Sequence, residues 1–198
     1  MEHRNIWKKL CLLGVMASFA SGAVGQNDVA FKTNLVGDAT LSPSLGIEIG
    51  LATHWSLDLS GEYNGWAVKD MKWKHWLAQP EMRFWFCDRF AGHFIGLHAL
   101  GGEYNFGNIR NSVQFLGNDF SILSDKRVQG WAAGGGLAYG YSWLLGRHWN
   151  LEAEVGVGYA YTRYDVFECV KCGKVVSTDN ERHYIGPTKA ALNLVFSF

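Results

Sequence analysis

Leu192-Asn193-Leu194-Val195-Phe196-Ser197-Phe198, the last seven residues, alternates strictly. Leu192, Leu194, Phe196 and Phe198 project to one side, and Asn193, Val195 and Ser197 to the other. A repeat of two residues is the period of a strand, because successive side chains in extended backbone point to opposite faces.

Seven further segments alternate in the same way. Val29, Phe31, Thr33 and Leu35 oppose Ala30, Lys32 and Asn34 in a first strand running to Val36. Leu45, Ile47, Ile49 and Leu51 oppose Gly46, Glu48 and Gly50, and Trp55, Leu57, Leu59 and Tyr63 oppose Ser56, Asp58, Ser60 and Glu62. In a fourth segment Trp76, Ala78, Met82, Phe84 and Phe86 face away from Gln79, Glu81 and Arg83. The fifth, Gly92 to Phe106, alternates less cleanly, and Gly101-Gly102 predicts a bulge that exchanges its faces. The sixth sets Trp131, Ala133, Leu137, Tyr139, Tyr141 and Trp143 against a face of glycine, alanine and serine. The seventh sets Trp149, Leu151, Ala153, Val155, Val157, Tyr159 and Tyr161 against Asn150, Glu152, Glu154, Gly156 and Gly158. The eighth runs from Tyr184 to Phe198 and turns Lys189, Ala191 and Asn193 from its apolar face.

The expected fold is therefore all-β, an eight-stranded antiparallel up-and-down transmembrane β-barrel. Alternation alone also suits a soluble barrel with its apolar face inside. Three features favour apolar-out. Aromatic residues gather at strand ends, Trp55, Trp85, Trp143, Trp149 and Phe198 at one rim and Tyr63, Trp66, Trp76, Tyr104, Trp131, Tyr161 and Tyr184 at the other. Connections at His54, 87–90 and 145–148 are short, while 66–74, 107–126 and 165–183 are long, as in barrels with short periplasmic turns and long external loops. The charges fall on the small-residue face, whereas a lipid-facing Arg or Lys costs about 2–4 kcal/mol at the bilayer midplane. A strand ending on a C-terminal phenylalanine also looks like the signal that outer-membrane barrels present to their insertion machinery. Pro80 resists, since a closed sheet has no free edge to absorb a missing donor, so a bulge or broken ladder is expected there.

The other end of the chain reads as a secretory signal peptide, residues 1–25, ahead of the barrel domain at 26–198. Arg4, Lys8 and Lys9 precede an apolar core from Leu10 to Phe19, and Ala23-Val24-Gly25 offers a cleavage site; Ala20 offers a second. Cys11 stands too early for lipoprotein acylation. The core is too short for a spanning helix. The 198 residues are 48% hydrophobic and 15% aromatic, yet no later stretch approaches the roughly 18 apolar residues of a transmembrane helix. A formal net charge of zero gives no sign of nucleic-acid binding. The expected location is the bacterial outer membrane, with its lipid as the first partner.

Lys32, Glu48, Asp58, Glu62, Glu81, Arg83, Glu152, Glu154 and Lys189 form the expected interior polar network. Eight strands leave little space beyond their own side chains, so these groups should plug the lumen through ion pairs. Their acidic surplus would favour cations if water passed, which makes a small cation-selective channel one alternative. A lipid-modifying enzyme is the other. His54-Trp55-Ser56 has the His-x-Ser spacing of a lipid A deacylase site, but it falls at the end away from the outer leaflet. His75 and His183 sit at the external rim with no serine or cysteine nucleophile at a telling spacing, and girdle hydrogen bonding explains them. Catalytic residues, cofactors and metal sites are therefore expected to be none. Cys169-Val170-Lys171-Cys172 is half of a zinc site without its second half, and reads as a small disulfide stiffening the last external loop, with Cys87 out of range at the opposite rim. The third loop carries Val113, Phe115, Leu116, Phe120, Ile122 and Leu123, more apolar than solvation requires, which suits folding over the mouth, insertion at the interface or docking a partner.

Three blocks carry a family likeness: Lys32-Thr33-Asn34 with Asp38-Ala39-Thr40-Leu41-Ser42-Pro43; Trp73-Lys74-His75-Trp76-Leu77-Ala78-Gln79-Pro80-Glu81-Met82-Arg83; and Gly92-His93-Phe94-Ile95-Gly96-Leu97-His98. On these, the chain resembles a family of uncharacterised small outer-membrane barrels of anaerobic gut Gram-negative bacteria. Members are similar to proteins encoded beside fimbrial subunits, which implies a non-enzymatic role in anchoring or assembling a surface appendage through the external loops, with fimbrial or other surface proteins as partners.

Overall fold

The computed structural model describes residues 28–65, 67–68, 71–107, 114–115, 118–119, 126–168 and 174–198. Eight long strands dominate: β1 (Val29–Asn34), β2 (Ser44–Ala52), β3 (Trp55–Asn64), β4 (Met71–Trp85), β5 (Gly92–Gly107), β6 (Arg127–Leu144), β7 (Trp149–Phe167) and β8 (Val175–Ser197). One short helix, α1 (Leu35–Ala39), interrupts them. Each strand pairs antiparallel with the next, and β8 returns to pair with β1, so the sheet closes into a ring. Two-residue strand pieces at Ala67–Val68, Gln114–Phe115 and Asn118–Asp119 complete the described β structure.

The side chains sort as the period of two requires. Along β7, Glu152 and Glu154 are 1% and 2% exposed, whereas Val155 and Val157 are 64% and 63% exposed. Large apolar residues cover the outside, and eight charged ones, on β1 to β4, β7 and β8, are buried within.

Glycine makes the tight curvature possible where β6 meets β7. A Cβ on Gly136 would stand 2.3 Å from the Val157 carbonyl oxygen, and one on its partner Gly158 would stand 2.2 Å from that of Gly135. No larger residue fits that approach.

Several sequence expectations need correction. β1 stops at Asn34 rather than Val36, because the Asn34 side chain caps α1 by accepting from the Val36 N–H. β5 keeps one register through Gly101-Gly102, so no bulge exchanges its faces. Register shifts lie elsewhere, one of them a bulge in the middle of β8. There Gly156 faces Lys189 but Val157 faces Pro187, leaving Thr188 as the extra residue. Trp85 is not a rim residue: it shares the parity of Glu81 and Arg83 and is fully buried inside. Tyr104 and Tyr184 likewise fall on inward registers. The long-loop stretches are partly strand, since β4 begins at Met71, β7 extends to Phe167 and β8 starts at Val175.

The expectation for Pro80 holds. Its β3 neighbour Leu59 is in register, but on the β5 side pairing lapses between Ala78–Gly101 and Glu81–His98 and resumes unshifted. Trp66, the apolar residues of the third loop other than Phe115, the Cys169–Cys172 pair and the leader all lie outside the described residues, as does the Phe115 side chain.

Candidate functional site: a filled lumen and the cavity above it

The interior is layered. At the short-turn end an apolar plug gathers Ala30, Trp85, Phe90, Phe94 and Val195. The turn between β4 and β5 tucks Phe90 inward, holding it at a φ of 63° that a non-glycine residue rarely adopts. Two interior side chains fix that turn, for Ser142 Oγ and Asn150 Nδ2 each donate to the Phe90 carbonyl at 2.9 Å. The Trp85 indole N–H donates to Ser56 Oγ at 2.8 Å, and Ser56 donates in turn to Glu48. The plug is thereby tied to the layer above it.

That layer centres on Arg83. Its guanidinium reaches Glu81 at 2.6 Å, Glu154 at 2.7 Å, Glu48 at 2.9 Å, and Asp58 and Glu152 at 3.0 Å. It also lies 4.4 Å from the centre of the Phe94 ring. Lys32 pairs with Glu48, and stands 3.3 Å from Asp58 and 3.6 Å from Glu152. Lys189 binds Glu81 at 2.8 Å and Glu154 at 3.0 Å. Asn193 donates to Glu152 at 2.8 Å. Charges removed from water need such paired, hydrogen-bonded partners.

Eight of the nine residues expected in the network therefore meet. Glu62 is the exception. It lies toward the opposite end, where its carboxylate bonds His75 Nε2 at 3.0 Å. His98 is the member that the sequence reading missed. Its Nε2 is 2.9 Å from Thr188 Oγ1 and its Nδ1 is 3.8 Å from Glu81. The inward parity of β5 at Phe94, Gly96 and His98 would have found it, had Gly101-Gly102 not suggested a change of face.

Above the ions, β6 turns Gly130, Ala132, Gly134 and Gly136 inward, and space opens. Tyr104 crosses that small-residue face from β5 to meet Thr162 of β7 at 2.6 Å. Trp73 stacks on Phe106 with ring centres 4.6 Å apart, and Tyr104 stacks on the same Phe106 ring at 5.3 Å. A cavity of about 610 Å³ opens here, lined in part by Asn64, His75, Tyr104, Gln129, Tyr164 and Asp179.

Strands β6 to β8 continue past this level. From Tyr161 to Phe167, β7 alone adds roughly 20 Å at ~3.3 Å per residue. Arg163 pairs with Asp179 at 2.8 Å, and Arg127 packs over the Phe167 ring at 3.9 Å. Among the described residues this wall is tall on the side of β6 to β8, and lower where β1 ends, β2 begins and β3 ends.

The histidines weighed for catalysis are engaged structurally. His54 Nδ1 lies 3.1 Å and 2.7 Å from the carbonyls of Trp85 and Cys87, across the turn from Ser56, which is bound inside. His183 meets the Tyr159 hydroxyl at 2.5 Å. Among the described residues no cluster of three or more His, Cys, Asp or Glu side chains is arranged to hold a metal.

Compared with protein-family models, residues 10–198 match the family described as Protein of unknown function (DUF3575), and the chain belongs to that family. No curated protein matches it.

Proposed function

We propose that this chain is a non-enzymatic outer-membrane β-barrel that offers its tall, long-loop end as a binding platform, with subunits of a fimbria-like surface structure as the partner class. One observation carries the membrane part: the middle of the strands is faced outward with exposed Leu, Ile, Val, Trp and Tyr, while Lys32, Glu48, Asp58, Glu81, Arg83, Glu152, Glu154 and Lys189 are buried within. A protein bathed in water would gain by the opposite arrangement, whereas acyl chains favour this one. The rings at the belt edges suit the two interfaces: Trp55 against Phe84 and Trp149 against Phe196 at the short-turn end, and Trp131 against Tyr161 at the other.

The platform reading rests on shape. The short-turn end is closed by aromatic rings and the middle by ion pairs, so specificity is left to the mouth, the projecting β6–β8 wall and the segment joining β5 to β6. A leader at residues 1–25 would deliver the chain across the inner membrane.

Two experiments test this. Fractionation and heat-modifiable gel migration should put the mature chain, beginning at Gln26, in the outer membrane as a folded barrel. Deleting residues 108–126 should abolish capture of surface-appendage proteins in crosslinked native membranes while leaving heat-modifiable migration intact. Recovery of the mature chain as a detergent-free soluble species would overturn the membrane reading, and unchanged capture would remove the segment from the platform.

A further inference from the structure

The cavity of about 610 Å³ at the tall end has most of its walls on the outer side of the ring. Tyr63, Trp76, Glu103, Trp131 and Arg163 share one register row, each opposite the next across β3, β4, β5, β6 and β7. Their parity is that of the exposed belt residues below them, such as Leu59, Met82, Leu97, Leu137 and Val157. Two positions further up, Lys74, Asn105, Gln129 and Asp165 form a second outward row. Between the rows His75, Tyr104 and Gly130 turn the other way. The cavity is therefore a groove with a floor of backbone and walls of side chains.

The lower wall places a carboxylate between two indoles. Glu103 is exposed, with Trp76 and Trp131 half-exposed on either side of it. Two strand spacings part the two tryptophans, which sets their backbones ~10 Å apart. The Trp76 indole N–H donates to Glu103 at 3.3 Å and holds the carboxylate in that gap. The upper wall is polar. Asn105 Nδ2 donates to Gln129 Oε1 at 3.3 Å, and this amide pair offers donors and acceptors side by side.

The floor excludes an added peptide strand, because its N–H and C=O groups are already paired within the sheet. A phosphate meets the wrong sign. Glu103, Asp165 and Asp179 outnumber Lys74 and Arg163 in the lining, and Arg163 is held by Asp179 at 2.8 Å. An ammonium matches two indoles and a carboxylate, but it is far smaller than this space and accepts no hydrogen bond from the amides. A sugar uses every part. The C–H face of a pyranose lies against an indole, and its hydroxyls donate to the carboxylate and exchange hydrogen bonds with the amides. The volume falls in the range of about 300–1,000 Å³ usual for ligand pockets, which leaves room for more than one ring.

We infer that the groove across β3 to β7 binds an uncharged oligosaccharide, with Trp76 and Trp131 as the stacking rings and Glu103 as the hydroxyl acceptor. The site deepens the platform reading above, and rests on it only for the exposure of this end of the barrel to the cell exterior.

The test uses the full mature chain folded in phosphatidylcholine vesicles and follows tryptophan emission. Maltoheptaose and a dextran heptamer probe for a free glycan, and digalactosyl diacylglycerol added to the vesicles probes for a lipid headgroup. Saturable binding is expected, and the arm that saturates identifies the source. Glu103→Gln should weaken it about tenfold, since hydrogen bonds to a charged group are lost. Trp131→Leu should abolish it while keeping an apolar side chain at the membrane edge, and Trp131→Phe should restore part, with Trp76 as the reporter in both. Heat-modifiable migration checks that each variant folds. No saturation by any probe, or one affinity for all variants, would overturn the site. Tighter binding of dextran sulfate or of tetramethylammonium would overturn it too, by assigning the groove to a charged ligand. Capture of appendage proteins is not read in this assay, so the site and the platform reading fail separately.

Discussion

Arg83 and Glu154 meet at 2.7 Å, although β4 and β7 are separated in the ring by two strands. They meet because β5 and β6 turn Gly96, Ala138 and Gly140 inward at that level, leaving the lumen open to long side chains from opposite walls. The guanidinium thus ties β4 to β2, β3 and β7 at once, a cross-brace that the backbone ladders do not supply.

That brace makes Arg83 the costliest interior charge to remove. Five carboxylates, Glu48, Asp58, Glu81, Glu152 and Glu154, converge on Arg83, Lys32 and Lys189. Arg83→Ala leaves them with two lysines, and breaking a buried pair costs about 3–5 kcal/mol. Urea titration of gel mobility should show that loss. Arg83→Lys should recover only part, because one ammonium cannot reproduce the fork. A loss under 1 kcal/mol for the alanine variant would show that the network is not a brace.

Most of this layer was legible in the residues, and the reason is geometric. Alternation fixes which side a residue takes, so Lys32, Glu48, Asp58, Glu81, Arg83, Glu152, Glu154 and Lys189 could be assigned to one face without knowing the fold. What alternation does not give is height. Glu62 shares that face, yet it lies a turn of the sheet above the ions and binds His75 instead. Trp85 stands near a strand end, where an aromatic suggests a rim, but the parity that it shares with Arg83 puts it inside. The Phe90 plug and the Thr188 bulge depend on how a turn folds inward and how two strands slip, and neither leaves a period to read. The early end of β1 at Asn34 is hidden in the same way, because the apolar Leu35-Val36 pair of α1 reads as more strand.

Tight backbone approach gives a second prediction. Gly136→Val places a side chain where the Val157 carbonyl stands, while Gly146→Ala has nothing within 4 Å of its new Cβ. The first should cost about 1–3 kcal/mol or more, as overpacking does, and lower the folded yield; the second should be neutral. Equal yields for the two would mean that β6 and β7 relax apart freely.

The plug gives a third. Phe90→Ala removes a buried ring from the short-turn end and leaves Ser142 and Asn150 holding a turn without its anchor. Truncation of a buried aromatic typically costs about 3–5 kcal/mol, reduced here by relief of the positive φ only if the turn can rearrange. Urea midpoints of Phe90→Ala and Phe90→Gly separate the two contributions. The glycine variant should be the more stable of the pair, and the reverse order would mean that the turn does not hold this backbone conformation.

The outer face gives the sharpest prediction, because water and lipid demand opposite results. Leu137 is 65% exposed at mid-strand on β6, with its side chain directed away from the lumen. On a water-facing surface, Leu137→Arg would change stability by no more than about 0.5 kcal/mol. Facing acyl chains near the midplane, the same change should cost about 2–4 kcal/mol, and Arg163→Leu, on the projecting wall, should cost far less. Refolding titrations into phosphatidylcholine vesicles measure both. An arginine at position 137 that leaves the vesicle titration unmoved would mean that this surface never meets the hydrocarbon.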